Sequence, residues 1–192
     1  MNKNIVYGLL ALLFTHATAK AQKNLVTNGG FEDELYGWTE YSAQTTTYVV
    51  KTGKACAVIT SMDTSKWTGM HQLITLPKNT QYILISAWIK ADNVVKSSRA
   101  WTGGLFNIEF QDRNETTING PATLITVTGD EQWTFTEKAM AVPPGVSKLK
   151  LLFALGYATG AFFIDEVSVK TISMEDYQKH AVALTRQTGS RF

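Results

Sequence analysis

Apolar and polar side chains alternate with a period of two along residues 24–172, in short runs separated by Gly, Pro, Asn and Asp. That period puts successive side chains on opposite faces of an extended chain, so it predicts strands rather than helices. The longest run, Gln81 to Ala91, sets Ile83, Ile85, Ala87 and Ile89 on one face and Tyr82, Leu84, Ser86, Trp88 and Lys90 on the other. From Leu105 to Asp112, Phe106, Ile108 and Phe110 alternate with Asn107, Glu109 and Gln111. Over Lys148 to Leu155 the apolar positions are Leu149, Leu151, Phe153 and Leu155. Further strands are expected at Met70 to Leu76, Thr123 to Thr128, Gln132 to Val142 and Ala161 to Ile172. Tyr48 to Lys51 and Ala55 to Thr60 flank Thr52-Gly53 and read as a hairpin. About eight to ten short strands without a sustained helical period make an all-β sandwich or barrel.

The two ends depart from this pattern. Residues 1–21 read as an export signal: Lys3, an apolar run from Ile5 to Phe14, then Ala19-Lys20-Ala21 as a small-x-small cleavage site. The run is too short to span a bilayer, and no Cys follows the site to carry a lipid. The mature domain is therefore expected in the periplasm or outside the cell, as one globular unit over residues 24–172. At the other end, Ser173 with Asp176 resembles a helix N-cap, and Tyr177, Ala181 and Leu184 share a helical face. A short helix from about Met174 to Arg186 is expected within a terminal segment, 173–192. It is either a docking handle for a protein partner or a helix packed on the sandwich with a frayed tail.

Charge and cysteine content narrow the partners. The chain has 18 basic and 16 acidic residues, and loss of Lys3 and Lys20 with the signal leaves them balanced. A neutral mature domain lacks the basic surface that nucleic acid or an anionic membrane requires. Cys56, the only cysteine, forms no internal disulfide; within Ala55-Cys-Ala-Val-Ile59 it reads as a buried, inert thiol.

Asn24-Leu-Val-Thr-Asn-Gly-Gly-Phe-Glu32, followed by Gly37-Trp38, resembles the opening of carbohydrate-binding modules of families 4, 9 and 22. Further blocks follow in the same order: Gly53-Lys54, Trp67-Thr-Gly69 with Gln72, Pro77 to Lys90, Gln132-Trp133-Thr134, Val142-Pro143, and Phe163-Ile-Asp165-Glu-Val-Ser-Val169. The resemblance implies a jelly-roll β-sandwich of two antiparallel sheets. It also implies a structural calcium near the first and last strands. Glu32 and Asp165 are the candidate carboxylates, each in apolar surroundings where a charge needs a cation or hydrogen bonds. By the same resemblance, carbonyls near Lys51 and Gly53 complete the set. The alternative is that both carboxylates cap backbone groups with no metal.

A polysaccharide or glycan is the expected partner, because sugar rings pack on flat aromatic faces while a few placed polar groups take the hydroxyls. Trp67 and Trp101 lie in polar, Gly-containing loops and are the candidate platforms, or else lids on the sandwich ends. The Trp67 position also resembles one that lines the sugar cleft in related modules. Asn107, Glu109 and Gln111 are the candidate hydrogen-bonding face; Arg99, His71 and Gln72 are lesser candidates. Trp38 and Trp133 are expected in the core, and Trp88 either on a second core face or at a groove edge. Glu109 has no second acid on its strand face to form a glycosidase pair, and no nucleophile elbow, zinc-binding helix motif or phosphate loop occurs. The sequence therefore predicts a non-enzymatic carbohydrate-binding module. A structural or adhesive protein-binding module on the same fold is the alternative, and a glycoside-active enzyme a more distant one.

Overall fold

A computed structural model describes residues 22–99 and 102–189, with the side chains of the last helix through Ala181. The expected export signal and Trp101 lie outside the described residues. Ten strands and one helix follow in order: β1 (Thr39–Tyr41), β2 (Ala43–Thr46), β3 (Cys56–Ser61), β4 (Trp67–Thr75), β5 (Tyr82–Lys96), β6 (Gly103–Gln111), β7 (Thr117–Val127), β8 (Gly129–Ala141), β9 (Lys148–Gly156), β10 (Ala158–Thr171) and α1 (Met174–Gly189). They form two five-stranded antiparallel sheets, β1-β4-β9-β6-β7 (sheet A) and β2-β3-β10-β5-β8 (sheet B).

The alternation seen in the sequence decides which face of each strand turns inward. Ile83, Ile85, Ala87 and Ile89 of β5 are buried, as are Leu149, Leu151, Phe153 and Leu155 of β9 and Phe106, Ile108 and Phe110 of β6. Phe106 stacks on Phe153 with ring centroids 4.1 Å apart, and Trp38 closes on Phe153 and Phe31 from the opening turn. Each such side chain contributes roughly 1.5–3 kcal/mol by leaving water. The jelly-roll expectation is met, and Trp38 lies in the core as expected.

The start of the chain is tied to its last strand. The Asn24 side-chain amide donates to the Val167 carbonyl and its oxygen accepts from the Val169 N–H, while the Leu25 N–H donates to the Val169 carbonyl. A Cβ on Gly29 would lie 2.1 Å from the Val167 carbonyl oxygen, so only glycine allows this approach.

The predicted hairpin over residues 48–60 is only half present. Ala55 to Thr60 corresponds to β3, but its partner is β2, and Tyr48 to Lys51 belongs to an irregular loop. The reason is competition for backbone donors. The Lys51 and Thr52 N–H groups donate to Asp165 and the Lys54 N–H donates to Glu32, so no ladder runs through this segment. Cys56 lies beneath the loop, fully buried, with its thiol donating to the Val49 carbonyl. Burial, and next the Asp165 carboxylate, push its pKa up to about 12. Iodoacetamide should therefore leave the native protein unmodified at neutral pH and label it only after denaturation. Rapid labelling under native conditions would refute this burial.

The C-terminal segment is a helix packed on the sandwich. Ser173 accepts from the Asp176 N–H and donates to its carboxylate, forming the anticipated cap. Tyr177 stacks on Tyr82 at 4.6 Å, and His180 lies 3.2 Å from Glu137. These contacts are to the outer face of sheet B, where α1 uses its Tyr177 side.

Candidate carbohydrate-binding face

Sheet A buries one face against sheet B and turns the other outward. On β4, Met70 and Ile74 point into the core, so Trp67, Gly69, His71 and Leu73 point out. The same parity turns Lys148, Lys150, Leu152, Ala154 and Gly156 of β9 outward. On β6 it does so for Leu105, Asn107, Glu109 and Gln111. Strand register aligns these residues in rows across the sheet. One row runs Thr39, His71, Leu152, Asn107, Thr123; the next runs Leu73, Lys150, Glu109, Pro121; a third runs Thr75, Lys148, Gln111, Thr117. From the Trp67 row to the Gln111 row the face extends roughly 26 Å along the strands.

Polar groups occupy its centre. The Gln111 side-chain amide donates to Glu109 Oε2 at 3.3 Å, and Lys150 Nζ lies 3.8 Å from the same oxygen. His71 stacks on Tyr41 at 5.9 Å. Its pKa lies below the usual value, first because it is partly withdrawn from water and then because Lys150 is near; Glu109 opposes the shift. His71 is therefore a neutral imidazole at neutral pH, able to donate at one nitrogen and accept at the other. Asn107 Oδ1 and Gln111 Oε1 are buried out of solvent reach, with no hydrogen-bond partner among the described residues.

Aromatic rings border the polar centre. Trp67 is 39% exposed and packs against Gly156. A Cβ at Gly156 would sit 2.6 Å from Trp67 Cζ3 and 2.8 Å from Leu105 Cδ1, so the indole needs a glycine beneath it. Tyr157 meets Trp67 edge-on at 6.2 Å, and the Arg99 guanidinium lies 4.7 Å from the Tyr157 ring centroid. At the neighbouring row Tyr41, 59% exposed, faces the small residues Gly69 and Ala154. Gly69 and Ala154 are themselves buried in that row.

Trp67, Asn107, Glu109 and Gln111 thus share one face, and His71 joins them. Gln72 does not: it points inward, pairing both polar atoms of its amide with the Thr27 backbone at 2.8 and 2.9 Å. Trp88 belongs neither to a core face nor to this face of sheet A. It lies on the outer face of sheet B, against Phe135, with Lys51 Nζ 3.8 Å above its ring. Trp133, expected in the core, is half-buried on that same outer face, edge-on to Phe163. The parity of β8, an edge strand, places it there. Tyr41, Tyr157 and Lys150 were not singled out by sequence reasoning. Lys150 could have been, as the polar alternate between Leu149 and Leu151. Tyr41 sits on a three-residue strand, too short for any period to show. A separate hollow of about 280 Å³ at the foot of α1 is lined by residues 77–82 and 171–174, none of them on this face.

The two candidate metal carboxylates converge on one loop. Asp165, fully buried, accepts from the Lys51 and Thr52 N–H groups at 3.1 and 3.0 Å and from the Glu166 N–H at 2.8 Å. Glu32 accepts from the Lys54 N–H at 2.8 Å. Gly53, at φ +66°, presses against it: an added Cβ would lie 1.9 Å from Glu32 Oε1. Desolvation raises the Asp165 pKa, partly offset by these amides. Among the described residues no cluster of three or more His, Cys, Asp or Glu side chains is arranged around a common point.

Solved structures share this architecture. The enzymatically active domain of tailspike protein 4 from bacteriophage CBA120 superposes with a TM-score of 0.65 at 18% identity, covering 78% of this chain and 21% of that one. A family 16 carbohydrate-binding module gives 0.55 at 20% identity over 76% of this chain and 99% of its own. The CBM22-1 xylan-binding domain of Paenibacillus barcinonensis Xyn10C gives 0.53 at 21% identity over 81% and 98%. At these identities the likeness establishes the fold. No curated protein matches the sequence. The sequence profile of the carbohydrate binding domain family of the CBM 4/9 type matches residues 23–160, most of the chain and nearly all of the sandwich, and the protein belongs to that family.

Proposed function

We propose that this domain is exported and holds a polysaccharide or glycan on the outer face of sheet A without altering it. The observation that carries the reading is one surface that combines the exposed indole of Trp67 with a polar centre of His71, Asn107, Glu109, Lys150 and Gln111. Sugar C–H groups pack on the ring, and sugar hydroxyls pair with the accessible polar atoms of that centre. The passive role is supported by the carboxylates at the face: Glu109 is ion-paired with Lys150 and Glu115 with Lys148, rather than left as two acids facing one bond. A glycan array on the mature domain tests the binding. Any glycan retained should release no reducing ends on incubation. Release that Glu109→Gln abolishes would make the domain an enzyme.

A calcium ion held at the Glu32–Asp165 loop belongs to the same reading. Carboxylates from the two ends of the domain bond to the same loop, and by the family resemblance the Lys51 and Gly53 carbonyls would add oxygens to the set. Bound calcium would neutralise a buried carboxylate and tie the opening turn to β10. Chelation should then lower the melting temperature by about 5–10 °C for a site near saturation. The pH dependence has a defined sign. With no cation, a raised Asp165 pKa means its stabilising contribution is complete at acid pH and is lost as pH rises through the folded value. A cation reverses that slope, because protons compete with it. The chelation effect should accordingly be largest at mildly alkaline pH and shrink on acidification. An identical melting temperature with calcium and with chelator at both pH values removes the site.

A further inference from the structure

The charges around the sheet A face point to a class of sugar. Three lysines near it are compensated: Lys150 by Glu109 at 3.8 Å, Lys148 by Glu115 at 2.7 Å and Lys66 by Asp63 at 3.5 Å. Arg99 enters none of the described ion pairs. Its guanidinium lies over Tyr157, whose ring meets Trp67 edge-on, so one aromatic contact joins the cation to the indole platform. Two hydrogen bonds engage the described backbone near Arg99. The Ser97 N–H donates to the Tyr157 carbonyl at 3.0 Å, and the buried Thr102 hydroxyl lies 3.2 Å from the Arg99 carbonyl as donor.

A guanidinium resting on a ring keeps its planar fork of N–H donors free at the edge. A neutral sugar hydroxyl accepts one N–H of such a fork and leaves its charge uncompensated. A planar or tetrahedral oxyanion accepts two parallel N–H bonds and neutralises the charge. We propose that the face takes an anionic glycan, with a sugar carboxylate or sulfate ester on Arg99 and the ring on Trp67. This inference rests on the binding reading above and specifies its ligand class.

Affinity electrophoresis of the mature domain at physiological salt tests it. The probes are polygalacturonate, alginate and glucuronoxylan, each beside its carboxyl-reduced form, and dextran sulfate beside dextran. The expected result is retention about tenfold stronger on at least one charged polymer than on its neutral counterpart. Arg99→Gln should bring that ratio close to one. Lys78→Gln removes the same charge from the distant Pro77–Thr80 turn and should leave the ratio unchanged. Preference within the carboxylate pairs identifies a uronate, and preference within the dextran pair a sulfate ester. Equal or better retention on the neutral polymers overturns the inference and leaves the binding face standing. Equal loss in Arg99→Gln and Lys78→Gln also overturns it, since net charge then explains the effect. If no polymer of either kind is retained, the binding face falls as well.

Discussion

Replacing Trp67 by Ala is expected to weaken glycan retention by about tenfold or more while the melting temperature moves by only a few degrees. The two effects separate because of where the ring sits. Trp67 is 39% exposed at the end of β4, outside the packed layer between the sheets. The buried aromatic cluster of Phe31, Trp38, Phe106 and Phe153 does not include it. Loss of the indole uncovers Gly156 and Leu105 but opens no cavity in the core. Gly156→Ala provides a second route to the same result. Its new methyl would overlap the indole at 2.6 Å, so the ring must tilt off the floor while its chemistry is unchanged. Affinity electrophoresis with thermal melts on both variants is the measurement. Full retention by a folded Trp67→Ala protein would remove the stacking platform from the mechanism.

The largest expected loss of stability comes from Asp165→Ala. Three backbone N–H groups, on Lys51, Thr52 and Glu166, use this one buried carboxylate as acceptor. Its removal leaves them unpaired around a cavity. Each stranded donor costs about 1–3 kcal/mol, so a total of about 3 kcal/mol or more is expected. For a domain of this size that lowers the melting temperature by roughly 6–12 °C. Asp165→Asn should also be harmful, because one acceptor oxygen becomes an NH2 group facing N–H donors. Glu32→Ala should cost less, since its carboxylate lies nearer solvent and holds the Lys54 amide and, at 3.5 Å, that of Ala55. Urea titrations of the three variants give the order. An Asp165→Ala protein within about 1 kcal/mol of the parent would show that the loop is held by other means.

The period of two locates β5, β6 and β9 because each sends its alternate apolar side chains into the core, and burial writes alternation into a strand. It was silent on β1 and β2, which are three and four residues long. It misplaces Tyr48 to Lys51 because apolar character there does not mean ladder pairing: the Tyr48 amide bonds to the Thr46 hydroxyl and the Lys51 amide to Asp165, 114 residues away. The candidate face was legible where alternation marks outward polar residues, as at Asn107, Glu109 and Gln111. Which outer face gathers the candidate residues depends on how strands are ordered across each sheet. That order sends Trp88 to one side of the sandwich and Trp67 to the other, although both lie on strands of similar pattern.

The hydrogen bonds from Asn24 to Val167 and Val169 bring the beginning and end of the sandwich side by side. Topologically the domain is close to a closed ring. Asp112 to Thr116 is a natural place to cut it, since the Asp112 side chain orders that exposed turn by itself, accepting from the N–H groups of Asn114 and Thr116. A circular permutant joined near Asn24 and opened there would keep every core strand intact. It would also move both new ends to the rim of sheet A, between β6 and β7.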